Sequence, residues 1–121
     1  MKKTRTASII LSMFSVLPFA LTGCATGQLH VASNVLFIAD WSQTRAIAAH
    51  PQRFREQNIL LGEHPSIGAV NSHFIGALLI NNALYYALPT ENGKRAWSLI
   101  VVGVEGERVA NNARIGIRFN W

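Results

Sequence analysis

Asp40 and Thr44 stand one helical turn apart in a stretch dominated by Val, Leu, Ile, Phe and Ala. A carboxylate so placed loses much of its hydration on burial and must be paired, hydrogen-bonded or protonated. Glu105 is its counterpart in a later apolar stretch, followed within two turns by Asn111 and Asn112, and His73 lies in the stretch between. Asp40, Thr44, His73, Glu105 and Asn112 therefore form a candidate buried polar cluster. Such a set could do acid–base or metal chemistry through Asp40, Glu105 and a histidine, or it could simply tie helices together. The spacing favours the structural role. No H-x-x-x-H, H-E-x-x-H or C-x-x-C occurs, and no two ligand candidates sit at i, i+4 on one helix. His50 and His64 each precede a proline and read as helix-entry residues. Ser42, Ser66, Ser72 and Ser98 lack the Gly-x-Ser-x-Gly elbow that exposes a nucleophile. Gly103 and Gly106 open no phosphate loop or dinucleotide fingerprint. The expectation is no catalytic residue, no metal and no cofactor.

The elements that must position these residues are helices, and the expected fold is mainly α: about three apolar helices in a small bundle with a short extended C-terminal tail. The first runs from about Leu29 to Ala49, free of Gly and Pro, and stops at His50-Pro51, where the proline disfavours a helical predecessor. On it Ser33, Phe37, Asp40 and Thr44 share one stripe, and nearly all the remaining surface is apolar. Such a helix is buried in protein or in lipid. A polar connector follows from Pro51 to Pro65, with a short helical turn through Phe54 and a turn at Gly62. From Ile67 to Leu88 no charge appears over 22 residues, long enough to cross a bilayer. Asn71, Ser72, His73, Asn81 and Asn82 lie inside it, and bare amides are costly in hydrocarbon. Their expected partners are Asp40 or Thr44 on the first segment and Glu105 or Asn112 on the third. Pro89 to Lys94 reads as a turn centred on Asn92-Gly93. The third helix is expected from Arg95 to about Asn112, with Ser98, Val102, Glu105, Val109 and Asn112 along one line. Beyond it Ile115, Ile117, Phe119 and Trp121 alternate with other residues as in a strand. The rival reading pairs 98–104 with 113–121 as a hairpin.

The chain opens with Lys2, Lys3 and Arg5, then an uncharged apolar run from Ala7 to Leu21, then Leu21-Thr22-Gly23-Cys24. Cations, a short apolar helix and small residues at the cut make an export signal. Its end resembles the lipobox of bacterial lipoproteins. The resemblance implies that residues 1–23 are removed and that Cys24, the sole cysteine, is acylated with palmitate or a similar chain. Residues 24–28 would then be a short tether, and 29–121 a single small domain. The family's sorting rule, with Ala25 rather than Asp next to the cysteine, implies the periplasmic face of the outer membrane rather than the inner membrane. On this reading 98 residues remain, and three of eleven basic residues leave with the leader. Eight then face six acidic ones, a net charge of about +2. No Lys/Arg stripe or alternation of cations with aromatics remains, so nucleic-acid binding is not expected. With its cysteine acylated, the domain has no disulfide and depends on burial alone.

The body carries Asp40-Trp41-Ser42-Gln43-Thr44, then Glu56-x-Asn58-x-x-Leu61-Gly62-x-His64-Pro65-Ser66, then Asn71-x-x-Phe74. It is similar to small uncharacterised membrane-associated bacterial proteins that pair an Asp-x-x-x-Thr helix with a Glu-x-Asn-Pro-like connector in a helical hairpin. Ile59 stands where that connector has its proline. The resemblance implies a helical hairpin at a membrane and no particular chemistry.

Were all three segments (29–49, 67–88 and 96–112) to span, Arg53 and Arg55 would face the cytoplasm and Lys94 and Arg95 the periplasm. That bias of basic residues is slight, and Asp40 and the Glu105–Arg108 cluster would lie at depth. A compact exported bundle touching the bilayer is the expectation. Its partners would be membrane lipid, through Cys24, and an envelope protein for which it serves as accessory or scaffold. Two alternatives compete: a membrane-associated enzyme or metal-binding protein using Asp40, Glu105 and a histidine, and an outer-membrane component whose last strand closes a barrel. The second lacks strand alternation before the tail.

Overall fold

In the computed structural model residues 25–119 are described, so Cys24 with the rest of the lipobox, and Asn120 and Trp121, lie outside the described residues. Three helices follow one another: α1 (Thr26–Ala49), α2 (Ile67–Ala87) and α3 (Glu91–Arg114). The described residues contain no strand. The fold is a small, mainly α bundle. α1 is its middle member, packing against α2 and more extensively against α3, whereas α2 and α3 meet over a short stretch only. α1 and α2 run antiparallel, so His30 meets Asn82 at one end and Trp41 meets Asn71 at the other.

Local chemistry sets the boundaries. α1 stops where His50 caps it, its N–H on the Ile47 carbonyl, one residue before Pro51. α2 begins at Ser66, whose Oγ accepts from the Ala69 N–H at 3.1 Å. The turn expected over Pro89 to Lys94 is shorter than that. Thr90 is already an N-cap, Glu91 favours the positive end of the helix, and Asn92-Gly93 form its first turn. The Thr90 hydroxyl accepts from the Gly93 N–H at 3.0 Å, and a Cβ on Gly93 would sit 3.0 Å from that same oxygen. The glycine is there for the cap rather than for a hairpin. Thr90→Ala should cost about 1 kcal/mol of stability and Thr90→Ser very little; urea unfolding of both variants would show it, and equal midpoints would argue against the cap.

The C-terminal boundary also moves. α3 continues to Arg114 and ends in a Schellman cap, with Ile117 N–H on the Asn112 carbonyl at 2.9 Å and Gly116 N–H on Ala113 at 3.2 Å. Gly116 has φ +91°, a left-handed conformation that glycine adopts without penalty. Among the described residues the alternation from Ile115 onward forms no strand: Ile117 is buried against Ala46 and Ile47 with Phe54 beside them, while Ile115 and Phe119 are exposed. The hairpin alternative fails because 98–104 is helical throughout.

The interior is mixed: Leu29, Ile47, Val70, Phe74, Val101 and Val102 are buried alongside many polar side chains. His30, Ser33, Asp40, Ser42, Gln43, Thr44, Asn81, Ser98 and Glu105 are buried, while Val31, Val35, Leu79, Ile80 and Ile100 are exposed. On α1 Ser33, Asp40 and Thr44 turn inward together with Leu29, Ala46 and Ile47, while Val31, Val35 and Ile38 face out. α2 is long and apolar enough to cross a membrane by length and composition, yet only 17% of that stretch is buried.

Candidate functional site

Where α2 and α3 diverge, α1 forms the floor of a cleft of roughly 100 Å³. Asp40 and Thr44 lie on the floor, Arg108, Asn111 and Asn112 come from α3, Phe74 from α2, and Glu56, Gln57 and Asn58 from the connector. Asp40 and Thr44 are on this floor because the i, i+4 spacing of a helix puts them on one face. α3 runs alongside α1, so Asn112 Nδ2 donates to Asp40 Oδ1 at 3.1 Å, and Gln43 Nε2 donates to the Val109 carbonyl at 3.2 Å.

Asp40 and Glu105, 4% and 3% exposed, meet carboxyl to carboxyl. Two carboxylates in contact repel, whereas one proton between them makes a hydrogen bond. Burial, and then the neighbouring Glu105 charge and hydrogen bond, push Asp40 up to about 7. Arg108 opposes the rise and Glu56 adds to it. Glu105 is also raised, by burial, against the opposing pull of Arg108 and of the hydrogen bond with Asp40. Arg108 Nη1 donates to Glu105 Oε1 at 3.2 Å. One proton shared between the two carboxyls relieves the repulsion, and the Arg108 guanidinium offsets the charge that remains.

The connector is built to close the cleft. Glu56 Oε1 accepts from the Gln57 and Asn58 N–H groups at 3.0 and 2.8 Å, and Asn58 Oδ1 accepts from Leu60 N–H at 3.0 Å. Gly62, at φ +75°, completes the turn. Asn58 Nδ2 then hydrogen-bonds with His73 Nε2 at 3.2 Å, and the His73 ring stands edge-on to Phe74.

Of the candidate cluster, Asp40, Thr44, Glu105 and Asn112 converge. His73 does not join the acid pair; it reaches the cleft through Asn58. Glu56, Asn58 and Arg108 were not singled out for this site by the sequence reading. Arg108 had a local signal, since i, i+3 places it beside Glu105 on one helix face. Glu56 and Asn58 had only their place in a turn-rich connector.

A second network occupies the opposite end. Asn81 Nδ2 donates to Ser33 Oγ and Asn34 Oδ1 at 3.1 and 3.0 Å, and Asn81 Oδ1 accepts from Trp97 Nε1 at 2.8 Å. Asn82 joins His30 at 2.9 Å and donates to Asn34 at 3.1 Å, and His30 stacks on Tyr85 with centroids 3.7 Å apart. Back at the cleft end of α1, Asn71 Oδ1 accepts from Trp41 Nε1 and Arg45 Nη1 at 3.0 and 2.7 Å. The asparagines of α2 are thus satisfied inside the protein, but by His30, Ser33, Asn34, Trp41 and Arg45 of α1 and Trp97 of α3. The acid pair and Asn112, expected as their partners, bind one another instead.

Among the described residues no group of three His, Cys, Asp or Glu is placed to hold a metal ion. What the site can do is store a proton between two helices and admit a small polar molecule or water to the acid pair. Searches against protein-family models, curated proteins and solved structures returned no match for this chain.

Proposed function

We propose that this chain is a lipid-anchored accessory or scaffold protein of the bacterial envelope, tethered through acylated Cys24, whose role is interaction rather than catalysis. The observation that supports it is the distribution of side chains. Polar groups share the helix interfaces with apolar ones, while further large aliphatic side chains stand outside on all three helices. A domain working alone in water rarely leaves so much apolar surface uncovered, and large uncovered patches mark protein or membrane contacts. An export signal ending in a lipobox-like cysteine gives that surface a membrane to work beside. By the sorting rule that goes with the lipobox, the address is the periplasmic face of the outer membrane.

A second reading draws on the cleft. Asp40, with its proton, borders an opening lined by Thr44, Asn58 and Asn112, and a group poised near neutral pH is suited to proton transfer. This reading makes the protein a membrane-associated enzyme. Among the described residues no histidine is placed against the acid pair, His73 reaching the cleft only through Asn58, so the scaffold reading is preferred.

Cys24→Ala is expected to abolish acylation and to release or mislocalise the protein. Metabolic labelling with a fatty-acid analogue should mark the wild type alone; equal labelling of the two would end the anchor reading. Identification of what co-purifies after mild detergent extraction then separates a scaffold, which carries a stoichiometric protein partner, from an enzyme, which need not.

A further inference from the structure

We infer that the domain itself, beyond its anchor, lies on the bilayer along one strip: the outer face of α2 with the Ile59-Leu60 tip of the connector at its foot. This deepens the anchored reading above and rests on it for the position of one end.

Ile59 and Leu60 are 93% and 79% exposed. They are not on a slack loop. Leu61 and Gly62 N–H groups both return to the Asn58 carbonyl at 3.0 and 3.2 Å, Glu56 N–H pairs with the Glu63 carbonyl at 3.0 Å, and Arg55 faces Glu63 at 3.7 Å. A hydrogen-bonded turn thus holds two large aliphatic side chains in the open. Asn58 docks on His73, and a residue at i is stacked in line with those at i+7 and i+11 on a helix. His73 therefore shares its stripe with Ile80 and Leu84, and the tip stands at the foot of that stripe. Ile80 and Leu84 are exposed, as is Leu79 beside them at 67%. From Ile67 to Leu88 no charged residue interrupts the strip. Cations stand at its two ends: Arg53 and Arg55 by the tip, Lys94 and Arg95 beyond Leu88, with Glu63 and Glu91 as local counter-charges. α3 differs, because the charged Glu107 is exposed in line with Ile100 and Val104 on its outer side.

Three observations choose the occupant. A protein partner would need an apolar socket for the Ile59-Leu60 tip, and a second copy offers none at its cleft, which is lined mainly by acids, amides and Arg108. Fluid hydrocarbon needs no socket. The cations at both ends match the phosphates of an anionic lipid surface, as interfacial helices use them. And the chain enters α1 at Thr26, close to the His30–Tyr85 stack. The described chain thus begins at the Leu84 end, opposite the tip. Two attachments at opposite ends hold α2 in the plane of the interface, with the outer face of α3 left in water.

The test uses the mature lipidated protein reconstituted in phosphatidylethanolamine–phosphatidylglycerol vesicles. Nitroxides are placed on Ile59→Cys, Ile80→Cys and, for α3, Ile100→Cys. Paramagnetic accessibility is expected to put 59 and 80 a short way below the phosphates, open to oxygen and closed to an aqueous nickel complex, with 100 open to nickel. Equal nickel access at all three positions would overturn the proposal, as would a depth at the bilayer centre for Ile80→Cys, which means α2 crosses. Spin–spin broadening at 59 and 80 that vanishes on dilution with unlabelled protein would overturn it in favour of a second copy. Nitroxide uptake by the unsubstituted protein would instead refute acylation of Cys24, while the depths at 59 and 80 still decide the strip.

Discussion

Asp40→Asn is expected to remove most of the dependence of the bundle's stability on pH. In the folded protein Asp40 holds its proton up to about 7, against an ordinary value of 3.8. Between those values the folded state binds a proton that the unfolded chain has released. Stability therefore falls as pH rises: the contribution is full below about pH 4, wanes between, and is gone above about 7. At 1.36 kcal/mol for each unit the difference is on the order of 4 kcal/mol, and Glu105, shifted in the same direction, adds to it. The asparagine keeps an oxygen for Asn112 and supplies an N–H for Glu105, with no charge to repel. At pH 8 the variant should be several kcal/mol more stable than wild type, and near pH 4 the two should be alike. Urea unfolding at pH 4.5, 6 and 8 measures this, and a wild-type-to-variant difference that does not move with pH would refute the shared proton. Asp40→Ala, which empties the position and strands both Glu105 and Asn112, should be less stable than wild type near pH 4, by ~3 kcal/mol. In the cell it should appear as a lower steady-state level and greater protease sensitivity. A variant as abundant and protease-resistant as wild type that still lost its phenotype would return Asp40 to a functional role.

Asn81→Leu should be among the most damaging single changes in α2. The side chain is 1% exposed and uses both of its amide atoms. Leucine would leave Ser33 and Asn34 each without one donor and the Trp97 indole N–H without an acceptor. An enclosed polar group left bare costs about 1–3 kcal/mol, so the total is on the order of 3–5 kcal/mol. Asn82→Leu is the comparison. Asn82 is half-buried, and its partners His30 and Asn34 also touch each other, at 3.4 Å, so a loss of ~1 kcal/mol is expected. The urea midpoints of the two variants should differ clearly. If both lose the same, or if Asn81→Leu gains stability, the interior would be one in which apolar packing serves better than these amides, and the network would have no structural weight. Cysteine-accessibility labelling at 71, 81 and 82 gives a second reading, since enclosed positions should label slowly from water.

What the sequence determined by itself was set locally. Pro51 and Pro89 each end a helix because a proline disfavours a helical residue before it, and 67–88 was legible as one helix from its length and composition. The alignment of Ser33, Asp40 and Thr44, and of Ser98 and Glu105, followed from the 3.6-residue period alone. Local rules that compete were read less well. Asn92-Gly93 suits a turn, but Thr90 offers the Gly93 N–H an oxygen, and the helix takes the pair into its first turn. Gly116 is a helix stop at C′, and the alternation around it disguised one.

Only the tertiary structure decided which polar group meets which. A helical face says that Asn81 and Asp40 point inward; it does not say at what height their helices cross. The antiparallel pairing of α1 with α2 carries Asn81 to Ser33, far up the helix from Asp40, while the side-by-side run of α1 and α3 brings Asp40 to Glu105 and Asn112. Glu56 and Asn58 entered the site because a connector folded back over the gap, a placement that depends on contacts across the chain. The side of each helix that faces away was decided in the same way. The helical period marks the Ser33–Asp40–Thr44 stripe but not which way it turns, and the α1–α2 and α1–α3 hydrogen bonds set it inside, beside Leu29 and Ile47.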